Sequence, residues 1–142
     1  MADRRLIFLL NVAQRRVQRF VATQAPKGVT ATQAGLLFVL GRRDGVLLGE
    51  AGAALDLGMP GISGLVERTV EAGLIEKRAD PDDGRAWRLW LTAPGRRALA
   101  KAKANAAELN ARLMQGFTDA EINVVARWLA SVQTKFPKGE NE

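Results

Sequence analysis

Cations bracket an acidic turn near the middle of the chain. Arg78 precedes Asp80-Pro81-Asp82-Asp83-Gly84, Arg85 and Arg88 follow it, and Ser63 and Arg68 stand one element upstream. Guanidinium groups are planar, always charged and hydrogen-bond in a fixed fork, which suits phosphates and base edges of nucleic acid. Ser63 is suited to a base edge or a phosphate and Arg68 to a phosphate, with Arg78 and Arg88 as supporting contacts to the nucleic-acid backbone. For Arg78 and Arg88 the plainer alternative is a solvated surface charge. With 21 Lys and Arg against 15 Asp and Glu, the net charge of +6 favours a polyanionic partner without naming one.

Other chemistries find little support. The chain has no Cys, His or Tyr, which removes disulfides, thiol redox sensing, most zinc sites and the usual base of a nucleophilic triad. The expectation is no enzyme, no cofactor and no metal site. Gly58-x-x-Gly61-x-x-Gly64 has neither the spacing of a dinucleotide fingerprint nor the Lys-Ser/Thr ending of a phosphate loop. Asp80, Asp82 and Asp83 are too few and wrongly spaced for a calcium loop. Trp87, Trp90 and Trp128 read as core or interface residues. The apolar run after Arg4-Arg5 is broken by Asn11 and followed by Gln14-Arg15-Arg16, so neither a signal peptide nor a membrane span is expected. A cytoplasmic protein with no membrane partner is the consequence.

The elements that must position the cations can be read from periodicity. Ala51, Ala54 and Leu55 suggest a short helix, Leu57-Gly58 a turn, and Pro60–Ala72 a second helix with Ile62, Leu65, Val66, Thr69 and Val70 on one face. Gly73 is placed to end it as a C′ residue. Strands then follow at 74–78 and 85–91 around the acidic turn, the second placing Arg85, Trp87, Leu89 and Leu91 on one face. This is the order of a helix-turn-helix with a two-stranded wing. On the second helix the outward residues are Met59, Gly61, Ser63, Gly64 and Arg68.

Long helices flank this centre. Leu6, Leu10, Ala13, Val17 and Phe20 form a seam at steps of four and three, the first helix ending by Ala25-Pro26. Thr30 and Gln33 match a capping box before a buried helix with Leu36, Leu37, Val39 and Leu40, ending near Gly41. Val46-Leu47-Leu48 fits either a short strand or a connector. Thr92 can cap a helix bearing Leu99, Ala102, Ala106, Leu109 and Leu113 that breaks at Gly116. A second capping box, Thr118 and Glu121, opens a helix with Ile122, Val125, Leu129, Val132 and Phe136, ended by Pro137. One monomer has no obvious way to bury all three seams, so a twofold homodimer with intertwined chain ends is expected. The fold class is mainly α with a small β-wing (α+β). Residues 1–25 form an N-terminal dimerisation helix, 29–92 the winged helix-turn-helix, 93–137 the C-terminal dimerisation helices and 138–142 a disordered tail.

Gly73-Leu74-Ile75-Glu76-Lys77-Arg78, Asp80-Pro81-Asp82-Asp83-Gly84-Arg85, Leu91-Thr92 and Gly95-Arg96 resemble the wing and flanks of the MarR (multiple antibiotic resistance regulator) family. The resemblance extends over nearly the whole chain and is densest in residues 62–97. It implies a dimeric regulator of transcription that binds double-stranded DNA at a palindromic operator, more often as a repressor. Arg85 resembles the family's minor-groove arginine and Asp83 the acidic residue that orients it. The resemblance also implies a small aromatic or anionic effector in a cleft between the dimerisation helices and the reader, where Phe8, Phe38 and Arg15 or Arg16 are candidate lining groups beside their plainer core and surface roles. The chain departs from the family at Gly64, usually polar or basic, at Thr69, usually large and apolar, and at Gly84, often an arginine at the wing tip. Two other classes remain open: a dimeric protein-interaction module with weak nonspecific DNA binding, and a small non-hydrolytic enzyme for which no residue constellation exists. Because a Gly inside a helix costs ~1 kcal/mol relative to Ala, the helix after the turn should be marginal without DNA. Amide hydrogen exchange faster over residues 58–70 than over 99–113 is the expected outcome, and equal rates would contradict it.

Overall fold

The computed structural model describes residues 4–24 and 28–137. In chain order the elements are α1 (Leu6–Gln24), α2 (Ala31–Arg42), β1 (Val46–Leu47), α3 (Leu48–Ala54), α4 (Met59–Glu71), β2 (Ile75–Ala79), β3 (Trp87–Leu91), α5 (Ala93–Met114) and α6 (Asp119–Lys135). The chain divides into two compact units, Met1–Asn105 and Ala106–Glu142, with the division falling inside α5. The expected loop at Pro26-Lys27 and the tail 138–142 lie outside the described residues.

Both capping boxes form. The Thr30 hydroxyl accepts from the Gln33 N–H at 3.2 Å while the Gln33 side chain accepts from the Thr30 N–H at 2.9 Å. Thr118 and Glu121 repeat the arrangement at 3.2 and 2.9 Å. Each pair answers two N–H groups that the helix itself leaves without partners. α2 then buries Leu36, Leu37 and Leu40 completely.

The sheet corrects the expectation of a two-stranded ribbon. Its order is β1-β3-β2, all antiparallel, with Val46 opposite Leu89 and Ile75 opposite Leu91. Val46-Leu47 is therefore a strand, and Leu48 already begins α3. The turn between α3 and α4 also differs from the sequence reading. Its left-handed residue is Asp56, at φ 56°, whereas Gly58 stands at φ −72° as the α4 N-cap.

Leu74 marks a close junction. Its carbonyl accepts from the Thr92 N–H at 3.1 Å, and Thr92 Oγ1 both donates to the Gly73 carbonyl at 2.6 Å and accepts from the Gly95 N–H at 3.1 Å. Thr92 thus caps α5 as expected and stitches its start to the end of α4. Gly95 is buried against this junction, and a Cβ there would stand 1.9 Å from the Leu74 carbonyl oxygen. Asp44 adds a second tie, accepting from the Leu91 N–H at 2.9 Å and from the Arg96 guanidinium at 2.6 Å.

The long helices remain open within the chain. No residue of α1 or of α6 is buried. In the α1 seam Leu6, Leu10, Ala13 and Phe20 are exposed and only Val17 is half-buried, so burial inside one subunit does not account for it. Val125 and Leu129 of α6 and Phe136 at its C-cap are likewise exposed. Among the described residues no helix is long and apolar enough to cross a membrane.

The Leu74 junction makes a prediction. Gly95→Ala should destabilise the fold by about 1–3 kcal/mol or more, the usual scale of forced overpacking, with the loss read in a urea unfolding midpoint. An unchanged midpoint would show that the helix start is not pinned there.

Candidate nucleic-acid interface

α3 and α4 pack closely because Gly52 is buried between them. A Cβ on Gly52 would meet the Leu57 carbonyl oxygen at 3.1 Å and the Ile62 side chain at 3.2 Å. The Leu57 N–H donates to the Gly52 carbonyl at 2.8 Å, closing the turn. Beyond it, α4 turns Ile62, Leu65, Val66 and Thr69 inward, each 0–1% exposed. Thr69 is tolerated in this core because its hydroxyl donates to the Leu65 carbonyl at 2.6 Å, leaving no orphan polar group. Val70, expected on the same face, is instead 38% exposed.

The outward side of α4 carries Met59, Gly61, Glu67, Arg68 and Glu71, with Ser63 and Gly64 half-buried at its margin. Gly58 gives no side-chain cap and the first turn has no acidic residue. The positive end of the helix therefore keeps N–H groups open to an anion. The Arg68 side chain makes no hydrogen bond or ion pair among the described residues.

The wing is organised around a carboxylate that reads in sequence as a plain turn residue. Asp80 is only 7% exposed. Its Oδ1 accepts from the Asp82 N–H at 2.8 Å and its Oδ2 from Arg88 Nε at 2.8 Å. The Asp82 N–H and, behind it, the Arg88 guanidinium hold the carboxyl below its ordinary 3.8, against the opposing push of burial. Arg88 also donates to the Gly45 carbonyl at 2.8 Å, joining the wing turn to the loop before β1. Arg88 is thus engaged within the protein through two of its guanidinium nitrogens.

The remaining wing residues sort by partner. Arg78 pairs with Glu76 and lies over the Trp90 ring at 5.3 Å. Asp83 Oδ1 accepts from the Arg85 backbone N–H at 3.0 Å, so it fixes the turn that carries Arg85. The Arg85 side chain is exposed and has no partner among the described residues. Lys77, which sequence reasoning missed, sits 4.5 Å above the ring of Trp87. Its signal was the strand register, which places Lys77 opposite Leu89 and diagonal to Trp87. Trp87 is 40% exposed and so lies outside the core, which leaves the interface half of its expected role, while Trp90 and Trp128 are half-buried. Of the candidate effector groups, Phe38 packs against the core, Phe8 is exposed with Arg5 over its ring at 5.1 Å, and Arg15 and Arg16 are exposed.

A seated helix after a tight turn, followed by a hairpin with open cations, defines a winged helix-turn-helix protein. Comparison with known proteins makes the class specific. A MarR family profile matches residues 27–86. A probable transcriptional regulator from Pseudomonas aeruginosa is 31% identical, with a TM-score of 0.83 over 92% of this chain and 98% of that one. The PcaV transcriptional regulator from Streptomyces coelicolor, solved in complex with its natural ligand, is 25% identical, with a TM-score of 0.79 over 94% and 98%. Bordetella bronchiseptica BpsR, whose DNA binding is regulated by 6-hydroxynicotinic acid, shares the fold at 22% identity and a TM-score of 0.80, over 90% and 98%. No curated protein matches. The chain belongs to the MarR family of transcription regulators.

The Asp80 latch predicts a pH dependence. A carboxyl whose folded pKa lies below its unfolded value binds fewer protons when folded, so its contribution is complete above about pH 4 and is lost as pH falls through the lowered folded value. Asp80→Asn should lower Tm near neutral pH, and the gap from the unmodified protein should narrow as melts are carried progressively below about pH 4. A gap independent of pH would show that the charge is not what holds the wing.

Proposed function

We propose that the protein is a homodimeric repressor of transcription that binds a palindromic operator and is released by a small aromatic or anionic effector. The observation that carries the DNA reading is the pair of open guanidinium groups, Arg68 on α4 and Arg85 on the wing, each presented by an element whose own geometry is fixed by buried contacts. Arg85 would enter the minor groove, whose negative potential attracts a guanidinium. Ser63 and Arg68 would meet the major groove along with the open start of α4. Arg78 is a backbone contact, its surface pair with Glu76 being weak enough to exchange for a phosphate. Asp83 acts by holding the turn under Arg85, and Arg88 by holding the wing to the body.

Dimerisation is supported by the apolar residues that α1 and α6 leave exposed, which a second copy of the chain would cover. In that dimer two copies of α4 would enter successive major grooves about one helical turn, ~34–36 Å, apart. Effector release is supported by the ligands of PcaV and BpsR. It requires the effector to bind the DNA-competent and incompetent states with different affinities. The same reading makes the protein a cytoplasmic regulator without catalytic activity.

The test is in vitro selection of duplexes by the purified protein, with Arg85→Ala alongside and at two salt concentrations. A palindrome should be recovered, and Arg85→Ala should weaken its binding by about tenfold or more, the loss of one to two kcal/mol of DNA contact. Salt-sensitive binding with no preferred sequence would overturn the operator reading and leave a basic protein that associates with DNA nonspecifically.

A further inference from the structure

The outward face of α4 is short of side chains, since Gly61 and Gly64 bring none to it. Arg68 stands one turn beyond Gly64. Helical side chains lean toward the N-terminus and cover the turn before their own Cα. Here that lean brings the guanidinium onto Gly64: a Cβ built on Gly64 would stand 3.2 Å from Arg68 Nη1, tighter than side chains ordinarily pack. Two carboxylates, Glu67 and Glu71, are on the same helix, yet Arg68 pairs with neither among the described residues. Its fork is therefore unspent and lies back along the helix toward the half that starts at Met59.

We propose that Gly64 is a slot for the Arg68 guanidinium, and that Arg68, lying across it, reads a guanine edge in the major groove. The proposal rests on the DNA-binding reading above and assigns a base where that reading left a choice of major-groove contacts. The N-terminal half of a recognition helix is the part that meets base edges. A planar fork that reaches back along that half offers two parallel N–H groups, and guanine O6 and N7 are the acceptors they match. A side chain at position 64 would crowd Nη1 and push the fork away from the helix. Gly64 thus weakens the helix but leaves room for its reader.

The test measures binding of the full chain to the selected palindrome and to duplexes carrying each single base-pair change in a half-site. The proteins are the unmodified chain, Gly64→Ala, Arg68→Ala, Arg68→Lys and the Gly64→Ala/Arg68→Ala double variant. Arg68→Ala should erase the preference for one G·C pair per half-site, a discrimination of about 5- to 150-fold for one bidentate contact. Arg68→Lys should keep the salt dependence and still lose that discrimination. Gly64→Ala should raise thermal stability, because Ala is the better helix former, and yet reduce discrimination at the same pair. In the Arg68→Ala background Gly64→Ala should have no further effect there.

Arg68→Ala that weakens every duplex equally and lowers the salt slope would make Arg68 a phosphate contact and overturn the base assignment. Gly64→Ala that leaves discrimination intact would overturn the slot. If the unmodified chain prefers no duplex, the operator reading itself fails, which is a distinct outcome.

Discussion

β3 is paired on both sides, with Leu89 and Arg88 opposite β1 and all five of its residues opposite β2. This fixes a register on which both the core and the wing depend. Leu89 and Leu91 enter the core, while Arg88 and Trp90 face the other way. A slip of one residue would exchange those sets, putting a guanidinium into the apolar interior and two leucines outside it. The same register brings Arg88 to Asp80 and Gly45, and Trp90 to Gly45, where a Cβ would stand 2.7 Å from the ring. Gly45 adopts φ 80°, so both its conformation and its crowding favour a residue without a side chain. The wing is consequently aimed by the body of the domain as well as by its own two strands.

Charge is distributed unevenly over this scaffold. Arg88 is bonded to a buried carboxylate, and withdrawing it would leave that carboxylate without its cationic partner, which is costly. Arg43 and Arg78 pair with exposed glutamates. Exposed pairs contribute only ~0–1 kcal/mol, so these cations can change partners when a polyanion arrives. Arg68, Lys77 and Arg85 need give up no ion pair among the described residues. The three grades of engagement separate arginines that hold the wing from those available to a ligand, although the sequence presents them as one basic cluster.

How far the sequence could be read follows from how local each interaction is. The capping boxes at Thr30 and Thr118 span three residues, and Gly73 ends α4 by its own φ of 76°, so all were legible. The inward face of α4 was legible because its period is intrinsic to a helix. Asp80 and Asp44 were not recognised as ties. Arg88 lies eight residues from Asp80, and Asp44 reaches Leu91 and Arg96 across 47 and 52 residues, distances over which sequence pattern says nothing about register. The α3–α4 turn misled for a different reason. Gly58 is the residue that turn chemistry favours, but the left-handed position fell to Asp56, one of the few side chains that tolerate it. For Arg85 and Asp83 the motif set the two residues in one turn, and the bond that joins them runs from the Arg85 backbone N–H to the Asp83 carboxylate.

The glycines of α4 show why composition alone overstates the weakness of that helix. Gly58 is the N-cap, a position where Gly is among the accepted residues. Gly61 lies in the first turn, and only Gly64 falls in the helical interior, where the ~1 kcal/mol penalty applies in full. Against it stand Ile62, Leu65 and Val66, each essentially without exposure. Burial of such side chains contributes ~1.5–3 kcal/mol apiece, so the seat outweighs the backbone cost several-fold. The seat is also offset from the open N-terminal end, because Met59, Pro60 and Gly61 precede its first buried residue. Packing therefore fixes the direction of α4 while leaving its leading turn to propensity alone, and that leading turn is the part a major groove would meet first.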